Sequence, residues 1–259
     1  MMDKHEFINM FKEYDKNYIA ALYEDVELCK KIEYDVYTKE FVTPDIYYRL
    51  KKNECRLGVN VSAEGYFQEC ERRVICFSIG ESHNDYSEFH VIKITNKSRF
   101  RTLMHRDYLG ALMSLGVKRE LFGDLVVDGD SCFLPVSTGI VQYISDNLTS
   151  VANCPCKVQL VDLDKEILPD IKFQDSVVLA SSLRLDNVVS GICNISRAKA
   201  VSLIDGGMVL VNYISCDRKD KLIEVNDTMT IRGYGKYKLR ALAGETAKGR
   251  TRMQIGKYI

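Results

Sequence analysis

Several features that would place this chain in another class of protein are absent from its sequence. No run approaches the roughly 18 apolar residues that a membrane-spanning helix needs. The opening MMDKHEFINMFKEYDKN is charged and lacks the apolar segment of a secretion signal. With 46% hydrophobic and 28% charged residues, the composition is typical of a globular protein with a real core. We therefore expect a cytoplasmic protein with no membrane span.

Cysteine and histidine are present without the spacing of a metal site. The nine cysteines include no CxxC pair, and Cys154-Pro155-Cys156 stands alone. Their odd number predicts reduced thiols rather than a disulfide framework, and a zinc site is the alternative. Because the four histidines also lack ligand spacing, we expect neither a metal nor another cofactor.

A net charge of zero hides an uneven distribution of charge along the chain. Residues 1–180 carry 22 Lys and Arg against 29 Asp and Glu, whereas residues 181–259 carry 14 against 7. A basic module attached to an acidic body predicts a polyanion-binding surface near the C-terminal end. A solvated basic surface without a partner is the alternative.

The apolar pattern of the first 180 residues predicts an α+β fold class. Apolar positions three and four apart predict one helix over 3–34, and Thr43-Pro44-Asp45 starts a second helix. Later apolar runs predict strands near 57–61, 74–79, 89–94, 125–127 and 158–163, and helices near 108–115 and 142–151. The polar segment SIGESHNDYSE indicates a boundary near residue 80. We expect two subdomains, 1–80 and 81–178, of the ferredoxin or RRM type.

The last part of the chain, 181–259, predicts a small separate module of two short helices and a sheet. Ser181-Ser182 can cap the first helix, which Gly191 ends or weakens. Ser196 is a good N-cap for a second helix over 197–205, which Gly206-Gly207 stops. The residues of this second helix expected to face inward are Ala198, Val201 and Ile204.

Basic side chains and helix N-termini in this module can grip the phosphates of RNA. The candidates for RNA contact are Arg184, Arg197, Lys199, Arg232, Lys236 and Lys238, with Asn212 at a turn. Tyr234 or Tyr237 can stack on a base or simply pack on the sheet. In the body of the protein, Arg106 and Lys118-Arg119 are further candidates, and an ordinary solvated surface is the alternative for them.

The string LRLDNVV…ISRAKAVSLIDGGMVLVN…VNDTMTIRGYGKYKL resembles the αL motif, the RNA-binding fold named after ribosomal protein S-four. Arg-Leu-Asp opens the motif, Ser-Arg follows, a Gly precedes a Val-x-Val-Asn strand, and Asp…Ile-Arg-Gly-x-Gly closes it. The similarity covers about 181–240. One departure is Asn226-Asp227 at a turn where Gly-Asp is commoner. The resemblance implies a small αL RNA-binding domain at 181–259.

The segment HRDYLGALMSLGVKRELFGDLVV, residues 105–127, resembles the signature of the YlmH family, whose members combine an α/β region with a C-terminal αL motif. The family resemblance implies a ribosome-associated protein that binds rRNA and tRNA on the large subunit. It also implies a link to quality control of large subunits that still carry peptidyl-tRNA. There a partner factor extends the stalled chain with alanine. The family has been tied to cell division as well.

Two short segments of the sequence partly resemble catalytic motifs. RLDNVVSG resembles the Arg-Leu-Asp string of pseudouridine synthases, but no room for a catalytic domain follows it, so we expect Asp186 to be structural. His105-Arg106-Asp107 resembles a kinase catalytic loop, yet Leu112 stands where that loop needs Asn. We therefore predict a protein that is not an enzyme. An RNA-modifying enzyme, either a pseudouridine synthase or an rRNA methyltransferase, and a protein-interaction scaffold linked to cell division are the competing hypotheses.

Overall fold

A computed structural model describes residues 2–80 and 89–259. The chain forms two compact units, Met1–Ile171 and Lys172–Ile259. Each unit combines helices with antiparallel sheet, so the predicted α+β class is confirmed. The boundary predicted near residue 80 adjoins residues 81–88, which lie outside the described residues, and it stays a prediction. In the described part of the chain, no helix is both long and apolar enough to cross a membrane.

The first part of the N-terminal unit packs helices against a three-stranded sheet. Helices α1 to α4 are Lys4–Met10, Lys16–Ile32, Pro44–Lys52 and Glu54–Leu57. Strands β1 to β3 are Val36–Tyr37, Asn60–Glu64 and Val74–Ser78, in the spatial order β1-β3-β2. Their shared core includes Phe7, Phe11, Ile19, Leu22, Val26 and Phe77.

The single helix predicted over 3–34 is wrong, because α1 and α2 are separate helices. The carboxylate of Asp15 accepts hydrogen bonds from the backbone N–H groups of Asn17 and Tyr18, both at 3.0 Å. An Asp in this position caps a new helix and so defines its start. Most of the apolar positions of this segment nevertheless face the core. Even Phe11, which lies outside both helices, is buried. Leu57, predicted to lie in a strand, ends α4 instead.

The second part of the N-terminal unit is built on a five-stranded sheet. Helices α5 and α6 are His105–Ser114 and Thr138–Asn147. Strands β4 to β8 are Phe89–Asn96, Val126–Asp128, Ser131–Ser137, Ser150–Val151 and Cys154–Leu160. The spatial order is β5-β6-β4-β8-β7, with all pairs antiparallel. The helix expected at 142–151 and the strand expected at 158–163 each begin four residues earlier.

This second part follows the β-α-β-β-α-β order of the ferredoxin-like fold. The first and third strands of that order, β4 and β6, are neighbours in the centre of the sheet, as that fold requires. Both helices pack on one face, where the core includes Ile92, Ile94, Tyr108, Leu134 and Ile144. The ferredoxin or RRM type of architecture expected from the sequence therefore describes this part of the unit.

The C-terminal unit places two short helices on one face of a six-stranded sheet. Helices α7 and α8 are Leu185–Cys193 and Arg197–Asp205. Strands β9 to β14 are Phe173–Ala180, Val209–Val211, Ile214–Ser215, Thr228–Ile231, Gly235–Glu245 and Thr251–Tyr258. Their spatial order is β11-β10-β12-β13-β14-β9. The compact unit thus includes β9, which precedes the domain start predicted at residue 181.

Two local predictions about these helices are corrected by the packing. Ala198 is exposed, and α8 instead buries Ala200 and Ile204, which are four residues apart on one face. Gly191 does not end α7, which continues to Cys193 and stops at Asn194 in the left-handed conformation. Gly191 allows close packing: a Cβ there would lie 2.8 Å from Cγ1 of Val178 and 3.2 Å from the carbonyl oxygen of Leu179.

Gly191→Ala should therefore destabilise the C-terminal unit by about 1–3 kcal/mol, because the added methyl group meets β9. Gly110→Ala is the matched control, since Gly110 also lies inside a helix but has open space around its Cβ position. That control should stabilise its unit by up to about 1 kcal/mol through helix propensity alone. Urea unfolding followed by circular dichroism measures both; a stabilising Gly191→Ala would contradict the packing described here.

Candidate nucleic-acid interface

The starts of α7 and α8 meet at one buried carboxylate. Asp186, in the first turn of α7, is only 1% exposed. Arg184 donates to its two oxygens through Nε and Nη2, both at 3.3 Å. Arg197, the first residue of α8, donates through Nε at 3.1 Å and Nη2 at 2.7 Å. We call these three residues the Arg–Asp–Arg cluster.

The charge state of Asp186 follows from its surroundings. Burial is the largest single effect on this carboxyl and by itself would raise its pKa. The hydrogen bonds and positive charges of Arg184 and Arg197 together outweigh burial, so the pKa is lowered from its usual range. The backbone N–H of Asn187 adds a further donor at 2.9 Å. Asp186 is thus an ionised acceptor with five donated hydrogen bonds, which agrees with the structural role expected for it and offers no support for catalysis.

A charged loop lies beside the Arg–Asp–Arg cluster and was not among the predicted contacts. The carbonyl oxygen of Lys219 accepts from the N–H of Asp186 at 3.1 Å, and that of Lys221 accepts from Leu185 at 2.8 Å. These bonds bring the basic residues of 218–221 next to the start of α7. In the sequence this loop is visible only as the charged string CDRKDK. The string does not predict that the loop contacts the start of α7.

The N-terminus of α8 forms as predicted. The Ser196 hydroxyl accepts from the backbone N–H of Lys199 at 3.3 Å, which caps the helix. Lys199 and Arg197 are both exposed, and 58% of the Arg197 side chain is accessible. Arg184 and Arg197 are thus brought together by Asp186, and Lys199 is exposed in the same first turn of α8 as Arg197.

Two of the remaining predicted residues of this unit, Lys236 and Lys238, lie on the sheet face opposite the helices. Tyr237 and Leu239 of β13 are buried on the helix-covered face, so the alternating Lys236 and Lys238 lie on the opposite face of the sheet. Lys236 Nζ donates to the Tyr213 hydroxyl at 2.7 Å and lies 4.6 Å from the ring centroid of Tyr258. The predicted RNA contacts are thus divided between two faces.

Two turn residues of this unit have structural partners, and Arg232 is exposed just after β12. The Asn212 side chain donates to Asp227 Oδ1 at 2.7 Å and accepts from the Thr228 N–H at 2.9 Å, which ties β10 to the turn before β12. Asn226, which stands where Gly is commoner in the αL motif, adopts φ +76°. Glycine is favoured in this left-handed conformation, but Asn also adopts it, so the turn forms with Asn in this position. Of the two tyrosines proposed to stack or pack, Tyr237 packs in the core.

The three candidates in the N-terminal unit occupy different environments. Arg106 is exposed in the first turn of α5, and Lys118 is exposed beyond the other end of that helix. The Arg119 guanidinium donates to the carbonyl oxygens of Phe122 and Gly123 at 2.6 and 3.0 Å. It also lies 4.5 Å from the Phe122 ring centroid. Arg119 thus braces its own loop, and its role in RNA contact stays a prediction.

The sheet face that an RRM uses to stack bases is partly covered in this unit. That face carries aromatic side chains on the central strands of an RRM, and Phe133 of β6 occupies the equivalent face here. Phe133 is only 6% exposed and packs with Phe67, Cys70 and Val126. Lys93 Nζ lies 4.9 Å from its ring centroid and pairs with Glu166. Lys157 and Gln159 of β8 are exposed on the same face, but Phe133 is not available to stack on a base.

Comparison with known proteins bears on both units. Residues 82–165 match a family model described as "Putative RNA-binding domain in YlmH". The chain is 29% identical over 226 residues to "Ribosome-associated protein quality control protein P2" of Bacillus subtilis (strain 168), an alignment covering 85% of this chain and 87% of that protein. The resemblance to the YlmH family is confirmed. "Cell division protein ylmH from Streptococcus pneumoniae" is a similar solved structure, with 21% identity, TM-score 0.48, and coverage of 60% of this chain and 94% of that one.

The match to the YlmH family model concerns the N-terminal unit and does not extend to the C-terminal unit. The matched segment lies within the N-terminal unit and contains the five-stranded sheet. Neither the YlmH domain nor the Bacillus relative carries the name of an enzyme. The matched segment ends before the C-terminal unit begins, so the αL assignment of that unit stays a prediction. Among the described residues, no group of three or more His, Cys, Asp or Glu side chains could hold a metal ion.

Asp186→Asn should lower the free energy of unfolding of the C-terminal unit by about 1–3 kcal/mol at neutral pH, because it removes a buried acceptor of charged hydrogen bonds. Since folding lowers the pKa of Asp186, its stabilisation is present above the ordinary Asp pKa of about 3.9 and is lost as pH falls through the native value.

The measurement is urea unfolding of both proteins between pH 8 and pH 3. The difference between them should be constant above about pH 5 and shrink below about pH 4. Asp205→Asn, at the exposed end of α8, is the control and should have little effect at any pH. A difference that grows on acidification would mean that Asp186 is not the ionised acceptor described here.

Proposed function

We propose that this chain is a non-catalytic RNA-binding protein that contacts rRNA and tRNA on the large ribosomal subunit. Its cellular role would be quality control of subunits that carry a stalled peptidyl-tRNA. The observation that carries the proposal is the Arg–Asp–Arg cluster, which holds two arginines side by side at the start of two helices. The net charge of +7 over residues 181–259 supports the same partner.

The Arg–Asp–Arg cluster is suited to binding a phosphate because its geometry exists before RNA arrives. Each arginine uses Nε and Nη2 for Asp186. This leaves its Nη1 group without a hydrogen bond to any described residue. A guanidinium fixed by a carboxylate loses little conformational freedom on binding, so more of the contact energy appears as affinity. Phosphate contacts of this kind set the position of a protein on RNA rather than its sequence preference.

The surroundings of the cluster extend the basic surface. Lys199 is the third residue of α8, and Lys219 is exposed in the neighbouring loop. Each phosphate that such residues neutralise releases counterions, so affinity should fall steeply with salt. Asp217 and Asp220 in the same loop limit the positive potential, which favours contact with a defined RNA shape over uniform attraction to any polyanion.

The αL identity of the C-terminal unit is part of this proposal. Two short helices, a Gly-Gly turn and a small antiparallel sheet follow one another over 185–240, in the order that the motif resemblance implies. A domain of this size can recognise structured RNA by backbone shape, with few contacts to bases. We further propose that the helix surface, rather than the open sheet face with Lys236 and Lys238, makes the main contact.

The place in quality control rests on the relative. The Bacillus subtilis protein is named as a ribosome-associated quality control protein, and the alignment spans most of both chains. We propose that this chain acts in the same process, in the cytoplasm, together with other quality-control factors. A catalytic step on RNA has no support in the Arg–Asp–Arg cluster, because every donor around Asp186 already holds its carboxylate in place.

Arg197→Ala combined with Lys199→Ala should abolish co-sedimentation of the protein with large ribosomal subunits at about 150 mM salt, because two of the proposed phosphate contacts are lost. The control is Lys248→Ala with Arg250→Ala, which removes the same charge from the exposed turn between β13 and β14. Circular dichroism and thermal unfolding show whether each variant is folded.

A folded Arg197, Lys199 double variant that still sediments with subunits would contradict the proposal. Equal losses in the test and control variants would also contradict it, because binding would then follow net charge alone. Lys199→Glu is a second test that leaves the Arg–Asp–Arg cluster intact, and it should weaken binding without a change in stability.

A further inference from the structure

One loop of the N-terminal unit exposes an aromatic ring among positive charges. The segment KSRFRT, residues 97–102, joins β4 to α5. Phe100 at its tip is 100% exposed, more than any other large apolar side chain described. Lys97, Arg99 and Arg101 are exposed on either side of it. Neither residue periodicity nor core packing accounts for a phenylalanine in this position.

The base of the loop is held firmly by one buried side chain. Asn96 is 6% exposed, and its amide donates to the carbonyl oxygen of Arg101 at 2.8 Å. Its side-chain oxygen accepts from the N–H of Ser98 at 2.9 Å. The Ser98 hydroxyl in turn accepts from the N–H of Phe100 at 3.3 Å. The tip is therefore shaped by its own hydrogen bonds, with the ring directed away from the core.

Contacts with β8, with the turn before it and with α5 fix the two ends of the loop. The N–H of Lys97 donates to the Pro155 carbonyl oxygen at 2.8 Å. The Arg101 guanidinium donates to the Ala152 carbonyl oxygen at 3.2 Å and to Asp107 Oδ1 at 3.4 Å. Asp107 also accepts from the N–H of Met104 at the start of α5. A loop fastened in this way presents Phe100 at a low entropic cost of ordering.

The loop itself lines most of a shallow polar cleft of about 460 Å³. Lys97, Arg99, Arg101, Thr102 and Asp130 are among its lining residues. Its charged and polar walls do not suit an apolar ligand. Basic side chains next to an exposed ring are the two elements that proteins combine to bind unpaired nucleotides, since the ring stacks on a base and the cations meet phosphates.

We propose that the loop 97–102 is a second RNA contact, in which Phe100 stacks on an unpaired base and Arg99 and Lys97 meet the flanking phosphates. The inference rests on the proposed function and names the class of RNA element bound: a single-stranded loop, bulge or end. It is consistent with the partly covered sheet face, because the aromatic ring that an RRM would offer there, Phe133, is buried, whereas Phe100 is exposed. The excess of positive charge at the tip favours RNA over a protein partner.

The test compares the intact protein with its Phe100→Ala variant in binding two labelled RNAs by fluorescence anisotropy. One RNA is a hairpin with an unpaired loop, and the other is a continuous duplex of the same stem. Phe100→Ala should weaken hairpin binding about five- to a hundredfold, as expected for the loss of one base–aromatic stack. Duplex binding should not change. Phe100→Trp should restore hairpin binding, since indole also stacks.

The control variant is Met113→Ala, which removes another exposed apolar side chain of the same unit and should leave both affinities unchanged. Because Phe100 is fully exposed, its substitutions should also leave stability unchanged. Equal hairpin affinity for Phe100→Ala and the intact protein overturns the inference. A Phe100→Ala variant that loses ribosome co-sedimentation but keeps hairpin binding overturns it too, because the loop would then contact a protein.

The two proposals fail separately in these experiments. If Phe100→Ala has no effect while the Arg197, Lys199 double variant loses subunit binding, only the loop inference falls. If the intact protein binds neither the hairpin nor the ribosome, the proposed function falls with it.

Discussion

The ion pairs around Asp186 are the constraint on which the C-terminal unit depends. A buried carboxylate alone would be unfavourable, and two adjacent guanidiniums alone would repel each other. Together they form a neutralising arrangement that joins the starts of α7 and α8 and leaves a surplus positive charge facing solvent. The same interaction thus holds the first turns of two helices together and keeps two guanidiniums at the surface. In the proposed function these guanidiniums bind phosphate, so a substitution in the Arg–Asp–Arg cluster should change both stability and RNA binding.

The N-terminal unit shows a different relation between fold and function. Its five-stranded sheet has the strand order of a domain type that often binds RNA on the open face, yet here Phe67 packs on Phe133 and buries the ring. Fold type alone therefore does not identify the binding surface. Connecting loops can change without disturbing the core. The loop after β4 is shaped by a buried side chain, Asn96.

Some of this architecture could be predicted from the sequence because it depends on local chemistry. Ser196 as a cap and Gly206-Gly207 as a stop gave the correct bounds for α8, and Pro44 gave the correct start for α3. The break at Asp15 was missed because the apolar spacing continues across it. Ala198 was placed inward because a three-residue spacing fits the pattern as well as the four-residue spacing of Ala200 and Ile204. Phe100 gave no signal, since exposure of a single ring depends on the surrounding fold. The separation of the basic residues into two faces could not be predicted from the sequence either, because it depends on the register of β13.

Pairing of β9 with β14 has a consequence for synthesis of the protein. These strands are the first and last elements of the C-terminal unit, and each pairs along eight residues. During translation β9 must wait without its partner until β14 has been made. Copies whose synthesis stops before β14 will therefore leave β9 unpaired and one edge of β13 open, and such strand edges lead to aggregation.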